Sequence, residues 1–426
     1  MQLGASRRPS ALRTRLGAAA CLLVAAGTRS AAADTVPKWQ FDGAGLLYGE
    51  KGRAKVFEPQ ARITRIFPDG QTLSATLGLD VITGASPTGA VPSGAIQTTT
   101  TPSGNTMSQV AGAIPVHPFS DTREGLDLEW VKPIGGWLTP ALGTHFSTEK
   151  DYRSLGATAK LSIATMRRLT TFTFGAGLND DQVDPRGGTK VPLSDGSVIA
   201  GTDPNAKRIR SGMAGVSRVL TRRWLVGVNA SRSFERGYLT DPYKVISVLD
   251  STDGSPVGEL TERRPSTRDR SDVLASSVYH LARDVVYASY RYYWDDWGVN
   301  SHTVDARYRL ELANQAFLQP HIRYYFQTRA NFFQFGLPQN APLPAYATSD
   351  PRLGDLRTLT LGGTYGFHVA GTPGEFSIRP EYIRQWGRSS GGHGQEVDGG
   401  SAAATGIDFS PPVDIGSLVV SYSVPF

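Results

Sequence analysis

An all-β fold is what the sequence predicts: a transmembrane, antiparallel, up-and-down, porin-like β-barrel of about 16 strands (14–16). Three observations carry this. Apolar residues recur with period two over segments of roughly ten residues, the signature of a strand with one apolar face. The connections between segments alternate between short and, mostly, longer ones. Beyond the N-terminus no apolar run reaches the roughly 20 residues that a spanning helix needs, in keeping with a mean hydropathy of −0.25.

The N-terminal segment stands apart. Arg7, Arg8, Arg13 and Arg15 form a basic stretch, LGAAACLLVAA from Leu16 to Ala26 an apolar one, and Ala31 and Ala33 a small-residue cleavage pattern before Asp34. That order reads as a secretory signal peptide over residues 1–33, leaving 34–426 as a single barrel domain. The sole cysteine, Cys21, lies inside the apolar stretch, so no disulfide framework or zinc cluster can form within the chain. Ala18 stands where a lipoprotein signal wants a large aliphatic residue. The leader holds five arginines and no acids, so its removal takes the formal charge from +6 to +1. A nucleic-acid partner, which needs a basic face, loses its main support.

Along the remaining chain the alternation is explicit. Leu73, Ala75, Leu77, Leu79 and Val81 oppose Thr72, Ser74, Thr76 and Asp80. Phe172, Phe174, Ala176 and Leu178 oppose Thr171, Thr173 and Gly175. Val304, Ala306, Tyr308, Leu310 and Leu312 oppose Thr303, Asp305, Arg307, Arg309 and Glu311, and the stretch 317–329 repeats the pattern. Short turns fall at PDG (68–70), IGG (134–136), Arg167-Arg168, 221–223, Arg283-Asp284, Asn314 and GTP (371–373). Long connections occupy about 83–122, 180–205, 237–266, 330–352 and 387–412. A soluble sandwich has no reason to place its long loops on alternate connections. A closed barrel in lipid does, and closure also leaves no backbone edge unpaired in hydrocarbon. Within 237–266, the VISV alternation is expected to extend a hairpin above the membrane.

Aromatic residues gather at strand ends, as an interfacial belt requires: Trp130, Trp137, Trp224, Trp294, Trp297 and Phe426 are its candidate members. Phe426 closes an alternating strand (Leu418, Val420, Tyr422, Val424) and resembles the terminal signal that barrel-assembly machinery reads. Outer-membrane lipid and that machinery are the partners expected, with export through the periplasm to a bacterial outer membrane. No residue pattern specifies an oligomeric state.

Five stretches, DVITGASPTGA (80–90), STEKDYRS (147–154), GYLTDPYKVISV (237–248), RRPSTR (263–268) and RYYWDDWGVNSHT (291–303), together resemble a family of predicted bacterial outer-membrane proteins, DUF3570. The resemblance implies an outer-membrane barrel and supplies no catalytic residues.

Chemistry is sought in two places. Asp180-Asp181, Asp295-Asp296, His145, Ser301 and His302 could belong to a rim hydrolase. Strand parity separates them, because His302 takes the lipid-facing phase, Asp295 takes the lumen phase, and Ser301 and His302 point apart. NDDQVD (179–184) lacks the glycine and distal glutamate of a helix–loop–helix calcium site, and no glycine-rich phosphate cradle leads into a helix. No cofactor or metal is expected. The second place is the lumen face, where Arg291, Asp305, Arg307, Arg309, Glu311, His321, Arg323 and Arg329 share the inward phase. Such a ladder could line a water channel and bias its selectivity, or stiffen a blocked barrel. The sequence therefore favours a pore or channel for small polar solutes or ions. The alternatives are a plugged barrel used for surface binding or assembly and, more remotely, a hydrolase in which parity fails at 296–302.

Overall fold

Residues 39–92, 97–100, 106–109, 113–165, 167–200, 204–387 and 410–426 are described by a computed structural model. The expected leader (1–33) and nearly all of the 387–412 connection lie outside these residues. In chain order the strands are β1 (Trp39–Glu50), β2 (Lys55–Ile66), β3 (Thr72–Pro87), β4 (Gln97–Thr100), β5 (Thr106–Gln109), β6 (Val116–Val131) and β7 (Leu138–Thr148). Next come β8 (Tyr152–Ala164), β9 (Thr170–Val183), β10 (Asn205–Thr221), β11 (Trp224–Gly237), β12 (Val245–Leu249), β13 (Pro256–Thr261) and β14 (Thr267–His280). The last are β15 (Val285–Asp295), β16 (Asn300–Glu311), β17 (Phe317–Gln327), β18 (Gly336–Pro338), β19 (Leu356–His368), β20 (Glu375–Gly387) and β21 (Val413–Pro425).

Sixteen of them close into one barrel, in the order β1-β2-β3-β6-β7-β8-β9-β10-β11-β14-β15-β16-β17-β19-β20-β21, with β21 returning to β1. Every neighbouring pair is antiparallel, and the seam is fastened at its very end. Trp39 N donates to Phe426 O and Phe426 N to Trp39 O, both at 2.9 Å. Because side chains alternate across each strand, the wall has an apolar outside (Leu77, Leu155, Leu178 and Val304 are exposed) and a polar inside. An exposed apolar band around a closed sheet is a surface made for lipid.

One end of the barrel carries the short turns and the other the long connections. At the loop end β3 and β6 outrun the membrane, pairing up to Pro87 with Val116, which shortens the expected 83–122 connection to 88–115. The VISV stretch does form a strand, but not as an extension of the wall. β12 pairs with β13 antiparallel and with β18 in parallel, building a separate three-stranded sheet. The reason is burial: Ile246 of β12 meets Leu337 and Ala347, with Leu193 and Leu260 packed alongside. Three long connections are thereby joined. A fourth is pinned where Val245 N donates to Thr88 O (2.9 Å) and Val91 N to Ser247 Oγ (3.0 Å). Gly89 between them has φ +99°, and a Cβ there would lie 2.4 Å from Val245 O, so only glycine fits.

This cap bends over the mouth. Phe333, Ala330 and Leu353 pack against the inward-facing Tyr293, together with Trp297 and Val299. Two expectations are corrected here. Trp297 is not a belt residue: it is only 4% exposed, its Nε1 donates to Thr267 O at 2.8 Å, and the Arg268 guanidinium lies 4.3 Å from its ring. The DDWG turn folds inward because Asp295 Oδ1 accepts from both Trp297 N (3.1 Å) and Val299 N (2.9 Å). Arg329 is not on the strand wall either. β17 stops at Gln327, whose Nε2 donates to Arg352 O and Gly354 O, and Arg329 N donates to Asp355 Oδ1, so the chain has already entered the cap.

Candidate functional site

The inner wall is an ion-pair ladder. Strand register aligns Asp305 with Arg323 and Arg307 with His321 across β16 and β17. It then carries His321 through Gly362 to Glu381. His321 thus sits between two acids, with Nε2 2.9 Å from Asp305 Oδ2 and Nδ1 2.9 Å from Glu381 Oε1. Arg307 Nε is 3.3 Å from Asp305, and Arg379 Nε 3.7 Å from Glu381. Nearer the turn end Arg309 pairs with Glu311 (2.5 Å) and lies 3.6 Å from the Phe317 ring. Arg291 reaches back to Asp272 at 2.9 Å.

The ladder continues around the barrel beyond the eight expected lumen residues. Arg62 pairs with Glu129 (3.2 Å), His145 with Asp127 (2.8 Å), Lys207 with Asp181 (3.9 Å), Arg268 with Asp295 (2.5 Å), and Arg270 with Glu235. The same parity rule locates all of them once each strand is placed. Exposure grades along the barrel. The mid-wall guanidinium groups are open to solvent (Arg307 is 41% exposed, Arg379 45% and Arg62 34%), whereas His321, Asp305 and Glu381 between them are largely covered. At the loop end Asp181, Lys207 and Asp295 are buried, because the cap covers them.

The cap has its own ionic centre, whose Asp241, Lys244 and Arg264 fall in the family-like stretches 237–248 and 263–268 but whose Glu262, Asp350 and Arg352 fall in none of the five. Asp350 holds two guanidinium groups, Arg264 Nη2 at 2.7 Å and Arg352 Nε at 2.8 Å. Arg264 Nε lies 2.6 Å from Glu262, and Arg352 Nη2 2.7 Å from Asp241. Thr348 Oγ1 donates to Glu262 Oε2 (2.5 Å) and Asp241 N to Glu262 Oε1 (2.7 Å). Lys244 Nζ donates to Ser86 Oγ (3.2 Å) and to Pro87 O. Burial works to raise the Asp350 carboxyl, but Arg352, Arg264 and Lys244 outweigh it and hold it well below the usual carboxylate range. For Glu262 burial prevails, and its carboxyl is pushed up.

The proposed hydrolase residues are parted. His302 faces outward, with Nδ1 2.7 Å from the Tyr290 hydroxyl and its ring 5.0 Å from Tyr292 and 6.2 Å from Phe326. Asp295 faces inward under Arg268, and Ser301 is buried on the inner side. Asp121, Glu149 and Asp151 bring carboxylate oxygens within 4.8 Å of one another, a set able to hold a cation. Arg123 (3.7 Å from Glu149) and the Tyr243 hydroxyl (2.7 Å from Asp151) already engage two of them. Of the aromatic candidates, Trp130, Trp137, Trp224 and Phe426 lie at the turn end. Trp294 lies at the loop end, stacked on Tyr292 at 5.3 Å.

A closed sixteen-stranded sheet with an apolar exterior, a charged interior and all its long connections at one end is an outer-membrane-type barrel. The chain belongs to the family described as "Protein of unknown function (DUF3570)", whose profile matches residues 13–411. No curated protein matches it. Among solved structures it is similar to CdiB from Acinetobacter baumannii, with a TM-score of 0.44 and 8% identity over 92% of this chain and 61% of that one. A ferric enterobactin receptor (PfeA) from Pseudomonas aeruginosa gives 0.43 and 9% over 90% and 60%. OccK2 (OpdF) from the same organism, solved with glucuronate, gives 0.39 and 12% over 91% and 97%. The chain thus spans about three fifths of the length of the first two.

Proposed function

We propose that the barrel is a pore for small polar solutes or ions, with its loop-end mouth constricted by the folded cap. One observation supports this above the rest: the mid-wall guanidinium groups of Arg62, Arg307 and Arg379 face solvent-accessible space, while Asp181, Lys207 and Asp295 at the loop end are sealed. Sixteen strands leave an interior wide enough for an aqueous channel. A wall of alternating guanidinium, imidazole and carboxylate groups replaces part of a solute's hydration and biases which charge enters. Export through the periplasm, and insertion by assembly machinery reading the strand that ends in Phe426, belong to the same proposal.

The second reading, a blocked barrel that binds a partner at its surface, is favoured by the cap having an apolar core and an ionic centre of its own. Planar-bilayer recording of the purified protein separates the two. The pore reading expects single-channel steps, and a reversal potential in a salt gradient that moves when Asp305 becomes Asn. Silence at every salt and voltage, in the native barrel and in one with a loosened cap, sinks it in favour of the blocked barrel.

A further inference from the structure

The outside of the barrel is apolar along its middle, its charged residues lie toward the strand ends, and on one face arginines crowd together at the loop end. On β10 the outward residues run from Val216 and Ala214 to Arg210 and Arg208, and on β11 from Val226, Val228 and Ala230 to Arg232, Phe234 and Arg236. Register sets Arg208 opposite Arg236 and Arg210 opposite Phe234. Four guanidinium groups therefore occupy one patch, spanning about 13 Å along β11 at roughly 3.3 Å per residue. They are open to the surroundings: Arg208 is 71% exposed and Arg232 61%. Three carboxylates answer them: Asp180 at 3.8 Å from Arg208, Asp269 at 3.6 Å from Arg232 and 2.6 Å from Arg236, and Asp296 beside Asp269 and acting on Arg236. Among the described residues Arg210 has no carboxylate partner. Phe234 lies between Arg232 and Arg236, with its ring 5.0 and 6.0 Å from their guanidinium carbons.

Depth decides what covers this face. Arginine on the lipid side costs roughly 2–4 kcal/mol at the bilayer midplane and little near the interface. From Trp224 at the turn end to Arg232 is eight residues of tilted strand, roughly 20 Å along the membrane normal. Register sets Arg232 opposite Ser271 and Ser271 opposite Trp294, the loop-end belt residue, so the patch begins at the level of the loop-side aromatics and reaches toward the headgroups. We infer that Arg208, Arg210, Arg232 and Arg236 form a binding site for a lipid whose headgroup carries phosphate monoesters, in the leaflet at the loop end. Guanidinium groups take phosphate oxygens in pairs. The net positive charge at this depth, with Arg210 left over, complements such a headgroup and no neutral one. Its length fits a headgroup bearing more than one phosphate. The lipid site does not depend on whether the lumen conducts.

The test is native mass spectrometry of the detergent-solubilised full chain, with diphosphorylated lipid A as probe. Dephosphorylated lipid A and inorganic phosphate are the comparisons. The native barrel is expected to retain lipid A at least tenfold more tightly than a variant with Arg208, Arg210, Arg232 and Arg236 all changed to Gln. It is also expected to prefer lipid A to its dephosphorylated form by a similar factor, and to be indifferent to inorganic phosphate. Heat-modifiable electrophoretic migration confirms folding. Should the fourfold variant fail to fold, Arg208→Gln with Arg210→Gln, and Arg232→Gln with Arg236→Gln, each lose roughly threefold or more. Replacing Arg357, on the outer face of β19, by Gln leaves binding unchanged. Equal retention by native and variant barrels overturns the site, as does equal retention of the dephosphorylated lipid. So does inorganic phosphate held with the same arginine dependence, or a dimer of the chain that dissociates on the same substitutions.

Discussion

Two ionic clusters of this barrel use the same chemistry in different surroundings. On the mid-wall His321 is shared by Asp305 and Glu381, and Arg307 beside them is 41% exposed to the lumen. In the cap Asp350 is 1% exposed and is shared by Arg264, at 11%, and Arg352, whose outer edge reaches solvent at 32%. Exposed pairs contribute little to stability because water already solvates them, whereas removing one member of a buried cluster leaves the others charged and unsolvated. The cap cluster is therefore a latch, whereas the wall cluster, in the proposed pore, would be a source of field that a passing solute feels. Breaking each in turn should give opposite signatures.

The largest effect falls on the latch. Asp350→Asn strands Arg264 and Arg352 and is expected to cost the cap about 3–5 kcal/mol of local stability, seen as faster amide exchange in β12 and β18 with the barrel strands unchanged. Next is the apolar side of the same cap: Ile246→Ala removes buried contacts with Leu337 and Ala347, at about 2–4 kcal/mol, by the same readout.

Acid probes the latch without mutation. The Asp350 carboxyl is held down in the folded cap, so its stabilisation is in place above its unfolded value of roughly 3.9 and fades as pH falls toward the folded one. Exchange in β12 is expected to accelerate only below about pH 4, and Asp350→Asn to lose that dependence. Glu262 acts with the opposite sign, because a raised carboxyl favours the protonated form and burdens the cap as pH climbs. The smallest stability effect belongs to the wall. His321→Gln should cost the barrel about 1.5–3 kcal/mol, and shift the reversal potential toward cation preference by leaving Asp305 and Glu381 less compensated.

The difference between the clusters also explains what the chain's order reveals. Strand residues advertise their face through parity, so alternation alone assigns Asp305, Arg307 and His321 to the lumen. The same rule, applied to 208–210 and 232–236, marks the outward arginines. The latch has no period to read. Arg264 and Asp350 lie 86 residues apart in two irregular connections and meet only because β12, β13 and β18 form a sheet. Trp297 shows the limit from the other side. Its aromatic ring suits a belt, but Gly298, at φ +87°, and the Asp295 side chain turn it into the cap. Strands at the loop end run past their expected limits for a related reason. Pairing between β3 and β6 persists to Pro87 beyond the apolar band, where hydropathy no longer marks it.

The central claim is that the cap constricts a charged, water-filled lumen, and single-channel recording of native and Asp350→Asn barrels in planar bilayers tests it most directly. The account predicts discrete steps in both, with larger or longer-lived openings in the variant as the cap loosens and the mid-wall field left intact. Identical conductance in the two, or none in either, contradicts it.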